Sequence, residues 1–284
     1  MNHPQIAAFA RLAKENTPPT RAIEGEKTKI SRTMHGFAFD AVHDEIVVPS
    51  PLAQAILVFR GGANGEDAPA RVIQGPNTQI LGTAYCGIDK ISVDPANNEI
   101  LLPIGTGGFG CGGQGTSPFG ILVFDRMANG DVAPKRILRG PDTQIRGAGA
   151  VAVDALRNLL VVNSGGAMLI FDRTASGNAK PKAVIQGPKS LMAGISSFQV
   201  YPQKGLIVAG CAGGSVCAWS IEDTGDVPPR WRIPVQQLTG YVASGIALDP
   251  VHKEILLSAA GQRVPPPNGI MNTIITFSWP EIFD

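Results

Sequence analysis

What the chain lacks narrows its possibilities first. Charged residues are only 17% of the 284, and the formal net charge is +1, so there is no electrostatic footprint for a polyanion and no nucleic-acid partner is expected. Aromatic residues are 6%, and none is interleaved with Arg21, Arg71 and Arg136 in a way that would stack on bases. No apolar run reaches the roughly 18 residues that a membrane-spanning helix needs. No basic region followed by an apolar stretch marks a secretory signal, so the chain as given reads as cytoplasmic, or as extracytoplasmic if a signal has been removed. Four cysteines without a Cys-x-x-Cys pair point to neither a zinc site nor a disulfide framework.

Glycine and proline are what the chain has in quantity, 34 and 23 residues, as expected when many short strands are joined by tight turns. Residues 121–154, ILVFDRMANGDVAPKRILRGPDTQIRGAGAVAVD, carry the full grammar. An apolar run is followed by an Asn-Gly-Asp turn, a short Arg-x-Leu strand, a Gly-Pro loop and an alternating strand that ends in Asp. The Arg-x-Ile and Gly-Pro-x-Thr-x-Ile sentence occurs at Arg71 to Ile80 and again at Arg136 to Ile145, with weaker copies from Pro19, Pro181 and Pro229. The strand before an acidic turn occurs at Phe37 to Asp40, Ile91 to Asp94, Val151 to Asp154, Phe198 to Tyr201 and Ile246 to Asp249. Five such turns mean five repeats.

Lettering each repeat by position gives strand A before the acidic turn, B after it, C at the Ile-x-x-Phe run and D at Arg-x-Ile. The last repeat supplies A, B and C and then stops, whereas Thr20 to Glu24 is a D strand with no A or B before it. The orphan D therefore completes the last repeat. Asn2 to Glu15 reads as helical, with Pro4 in a first turn and Ile6, Phe9, Ala10 and Ala13 on one face, although Ile6 and Phe9 also align with Ile56 and Phe59 at an offset of 50.

The Gly245 to Asp249 strand, the Glu-Ile-Leu that follows it and the recurring Ile-Leu-Val-Phe run resemble bacterial NHL and YncE-like β-propeller repeat proteins over residues 19–279. The resemblance implies an all-β propeller, commonly of six blades; the five repeats and the orphan D strand instead give a single five-bladed propeller whose last blade is closed by the N-terminal D strand. The domain expectation is an arm at 1–18, helical or irregular, and a propeller at 19–284. A strand at Ile6 to Phe9 would instead imply a partial sixth blade or a strand exchanged between subunits.

In such a propeller the BC and DA loops share the face around the channel mouth, and two loops there outgrow their repeats, at 105–120 and 262–272. The glycine-rich first loop lacks the Gly-Lys-Ser/Thr ending and following helix of a nucleotide loop, so it reads as a flap or contact surface. The DA loops nominate His35, Tyr85, Asp89, Arg146 and Tyr241 as ligand-binding residues, with Arg146 and the two tyrosines able to clamp a small anion or a sugar. The metal ligands of NHL-type lyases and lactonases are not matched, so no catalytic or metal-binding residue and no cofactor is assigned. The alternative is a metal-dependent hydrolase or lyase with a divalent metal in the channel, centred on His35, Asp89 and Arg146. The repeated Asp40, Asp94, Asp154 and Asp249 read as turn acceptors, and the D-strand arginines as shields for exposed edges. Cys86 and Cys111 could pair in an exported form, and Cys217 reads as core. The functional expectation is a non-enzymatic module that binds a protein, glycan or small ligand and self-associates through its arm.

Overall fold

The computed structural model describes residues 4–31, 36–80, 90–105, 119–192, 197–261 and 272–284. Its contacts divide the chain into two compact units: Met1–Gly140 with Arg146–Ala148 and Ser176–Asn178, and Pro141–Ile145 with Gly149–Ala175 and Ala179–Asp284.

The first unit begins with a two-stranded sheet, β1 (Gln5–Ala8) and β2 (Arg21–Glu24). An antiparallel sheet follows, made of β3 (Ala38–Asp40), β4 (Glu45–Ser50), β5 (Ala55–Arg60) and β6 (Arg71–Gln74) in sequence order. The next sheet has the same order, with β7 (Ser92–Asp94), β8 (Glu99–Ile104), β9 (Gly120–Asp125) and β10 (Arg136–Leu138). The middle strands are almost continuously apolar because both of their faces are covered, and Phe59, Phe124, Ile100 and Leu122 are fully buried.

The second unit contains β11 (Ala148–Asp154), β12 (Leu159–Ser164), β13 (Ala167–Asp172) and β14 (Ala183–Ile185) in one sheet. The next sheet holds β15 (Phe198–Tyr201), β16 (Leu206–Cys211), β17 (Ser215–Ser220) and β18 (Trp231–Ile233). A short helix, α1 (Val235–Thr239), leads to a three-stranded sheet of β19 (Tyr241–Asp249), β20 (Glu254–Gly261) and β21 (Asn272–Ser278). The terminal helix α2 (Pro280–Phe283) packs back on this sheet, with Phe283 edge-on to Tyr201 at 5.2 Å between ring centroids. Four sheets of A–B–C–D order and one of A–B–C order form the five-bladed propeller arrangement.

The recurring Gly-Pro sentence acts within and between successive blades of the first unit. Ile73 of strand D makes a parallel bridge to Gly130, in the turn between C and D of the following blade. Gly130 N donates to Val72 O at 2.7 Å, Gln74 N donates to Gly130 O at 3.1 Å, and Val72 N donates to Asn129 Oδ1 at 3.0 Å. Gly130 has φ of 77°, and a side chain there would meet no atom, so glycine is needed for its backbone conformation alone. At Gly75 space matters as well: a Cβ would come within 2.4 Å of the Asp131 carboxyl group. That carboxylate accepts from Asn77 N at 2.7 Å, and Thr78 Oγ1 closes the turn by donating to Gly75 O at 2.6 Å. The same parallel bridge joins Ile23 to Gly65 and Ile185 to Gly225.

Two expectations at the N-terminus are corrected. Within the arm, Gln5–Ala8 form a β-strand rather than a helical turn, with Ile6 opposite Ile23 and Ala8 opposite Arg21, while residues 9–18 are turns and irregular backbone. Strand β2 pairs with this β1 and not with β21, so it does not close the last blade. Helix propensity of the Ala-rich arm is outweighed by burial of Ile6 and by a ladder to a strand only a short loop away, which costs little closure entropy. Thr20 adds to the hold, donating to Ala8 O from both its backbone nitrogen and its hydroxyl.

Candidate binding surface

Of the residues nominated from the sequence, His35, Tyr85 and Asp89 lie outside the described residues, as do Cys86, Cys111 and most of both long loops. Arg146 is exposed in the bend after the Pro141–Thr143 turn, in the first unit. Tyr241, in the second unit, is half-buried and opens β19 opposite Gly261. Its two successors, Val242 and Ala243, line a recess.

That recess has a volume of about 150 Å³ and is bounded by Gly210 to Ser215 on one side and by Val242 and Ala243 on the other. Its wall is the turn between β16 and β17, where Gly213 and Gly214 have φ of 75° and 62°. Helix α1 fixes the turn from behind: Gln236 N donates to Gly214 O at 2.9 Å, and a Cβ on Gly214 would lie 2.3 Å from the Gln236 side-chain oxygen. Arg232 Nε donates to Ser215 Oγ at 3.0 Å. Val242 stands 44% exposed at the rim.

A disulfide joins Cys211 to Cys217 beneath this turn. The hairpin register sets Cys211 opposite Ser215 and Ala209 opposite Cys217, so the two cysteines are diagonal neighbours on one face. Cys217 is fully buried, as expected of a core residue, but its pairing with Cys211 corrects the reading that the four cysteines point to no disulfide. A Cys-x5-Cys spacing around a Gly-Gly turn between two apolar runs was the available signal.

The acidic turns behave as expected. Asp40 accepts from the backbone nitrogens of Val42 and His43, and Asp94, Asp154 and Asp249 accept from those of Asn97, Arg157 and His252. The fourth side chain of each turn also bonds the carboxylate, with His252 Nδ1 at 2.7 Å from Asp249 Oδ2. That hydrogen bond, more than any other influence, holds the Asp249 carboxyl below its ordinary range. Among the described residues, no group of three or more histidine, cysteine, aspartate or glutamate side chains is arranged to hold a metal ion.

In the first two blades the D-strand arginines are not edge shields. Arg136 makes a pair of hydrogen bonds to Glu99, at 2.6 and 2.7 Å, and Arg71 and Arg126 both bond Glu45, at 2.8 and 2.9 Å. All five side chains are largely buried, so each of these D strands is tied to the B strand of its own blade by an ion pair across the C strand. Arg139, just past β10, was not nominated; burial holds its guanidinium below the usual value.

The strand orders define the class: this is an all-β protein with a propeller arrangement of blades. A chain in the solved structure titled "Crystal Structure of Mitotic Checkpoint Complex" is similar, with a TM-score of 0.53 and 13% identity, over 86% of this chain and 64% of that one. The chain thus spans less than two thirds of the length of that neighbour, and the likeness is one of fold. No family model and no curated protein matches the sequence. Among the described residues, no helix is long and apolar enough to cross a membrane.

Proposed function

We propose that the chain is a binding and assembly module of the NHL-like propeller kind, and that it takes an apolar side chain of a protein partner in the recess between Gly210–Ser215 and Val242–Ala243. The observation that carries this reading is the recess itself. Its volume of about 150 Å³ is of the order of one leucine or phenylalanine side chain. Its walls offer glycine and alanine surface, a buried disulfide and a serine, groups that recognise by shape and by hydrogen bonds to backbone. Tyr241 beside it adds a rigid amphipathic ring of the type enriched at protein interfaces.

Panning a random peptide library on the immobilised chain tests the reading. Peptides with a single apolar anchor are expected to be enriched, and the Val242→Asp variant is expected to lose them while its melting temperature is retained. No enrichment, or peptides that bind the variant equally well, would remove this function from the recess.

A further inference from the structure

Each complete blade has one position where strands C and D meet over the core. In β5 it is Ile56 opposite Ile73, in β9 Ile121 opposite Leu138, in β13 Met168 opposite Ile185, and in β17 Val216 opposite Ile233. All four C-strand residues are fully buried. The register of the last blade sets Ile274 at this position, four residues before the partner of the first B-strand residue: Glu254 pairs with Ser278 as Glu45 pairs with Arg60. Ile274 is 61% exposed, because β21 is the outer strand of a three-stranded sheet. An exposed isoleucine on an edge strand is a site for strand addition.

The chain carries a strand with the matching features. Arg71 and Arg136, the first residues of β6 and β10, lie opposite Val58 and Val123, two residues before the partners of Glu45 and Glu99, and bond those glutamates. Strand β2 likewise begins with an arginine, Arg21, followed two residues later by Ile23, while β20 begins with Glu254. Setting Arg21 opposite Thr276 puts Ile23 opposite Ile274 and repeats the Arg–Glu geometry of the first two blades. In this structure the place beside β2 is taken by β1, whose Ile6 covers Ile23, and Arg21 donates to Gly61 O and Ala63 O in the following blade.

We infer that β21 of one copy pairs with β2 of a second copy and, reciprocally, β21 of the second with β2 of the first, Ile274 replacing Ile6 and Glu254 receiving Arg21. This deepens the assembly half of the proposed function by naming the partner, and it leaves the recess free. The exchange trades the four-pair β1–β2 ladder for an equivalent one and adds the Arg21–Glu254 pair, while the bond from Gly65 N to Ala22 O that seats β2 is kept. Two such contacts close a dimer.

Charge reversal in trans tests it, read as molar mass by light scattering over a concentration series. The unaltered chain is expected to shift to the mass of two chains. Arg21→Glu and Glu254→Arg are each expected to weaken the dimer about tenfold or more, a difference of about 1.4 kcal/mol or more. An equimolar mixture of the two variants is expected to recover it, because each contact of the mixed dimer again joins opposite charges: one contact carries both reversals, and the other keeps the native Arg21 and Glu254. Ile274→Lys, a surface change, is expected to give a monomer with unchanged melting temperature. A chain monomeric at every concentration, a dimer indifferent to both reversals, or a mixture that fails to recover would overturn the inference. Peptide binding at the recess, measured on the same variants, separates this failure from failure of the proposed function.

Discussion

At the scale of single residues, the recurring aspartates show how one position serves the same purpose with different partners. The carboxylate closes the turn by accepting backbone nitrogens, and the residue three further on, His43, Asn97, Arg157 or His252, adds a side-chain donor. The requirement is for a donor of suitable reach, not for a histidine, so the two histidines carry no catalytic implication. A pH effect follows at Asp249. Its folded pKa is depressed chiefly by the His252 hydrogen bond, so the stabilisation is fully present above the ordinary carboxylate value and fades as pH falls through the depressed one. In His252→Ala the Asp249 side-chain carboxyl carbon, followed by NMR, should titrate closer to about 3.9, the unperturbed value. The difference in melting temperature between the variant and the parent chain should shrink as the pH is lowered below that range.

At the scale of elements, the β16–β17 hairpin is clamped by its disulfide, and the clamp backs the recess. Cross-linking across so short a loop restricts the unfolded chain modestly, so reduction should lower stability by about 2 kcal/mol. Urea unfolding with and without reductant measures this, and a Cys211→Ala, Cys217→Ala chain should be insensitive to reductant.

Elements also show what the sequence made legible. Strands whose residues meet local requirements were visible: Asp at the A–B turn, Gly130 with its positive φ, and Thr78 closing a Gly-Pro turn each leave a residue-specific mark. The helical reading fails at Gln5–Ala8 because the alanines there favour helix while the strand is decided by Ile6 lying over Ile23, a contact that no local propensity reports. The arginine–glutamate pairs were missed for the same reason, since Glu99 and Arg136 are brought together only by the register of three strands. Of the nominated binding residues, Tyr241 lies next to the recess and Arg146 is exposed in the other unit, whereas Gly213, Gly214 and Val242 carried no chemical signature that would single them out.

At the scale of the whole molecule, each unit has its own buried clusters. One in the first unit is built on Ile73, Leu102 and Phe124, and one in the second on Ile185, Ile207 and Trp219. We expect these packed side chains and inter-strand hydrogen bonds to hold the fold without a bound ion. Adding a chelator should therefore leave the thermal unfolding midpoint where it was, as read by circular dichroism. A fall in the midpoint would instead favour the divalent metal-dependent hydrolase or lyase alternative at His35, Asp89 and Arg146, by the linkage between ion binding and folding.

The clasp between one blade's D strand and the glycine turn of the next has a longer-term consequence. Because Ile73 with Gly130, and Ile185 with Gly225, satisfy one another without reference to more distant parts of the chain, a duplicated stretch of gene encoding one blade would arrive with both halves of its fastening. A chain carrying one inserted blade should therefore keep the clasp on both sides of the insertion, Ile73-type residue to Gly130-type turn.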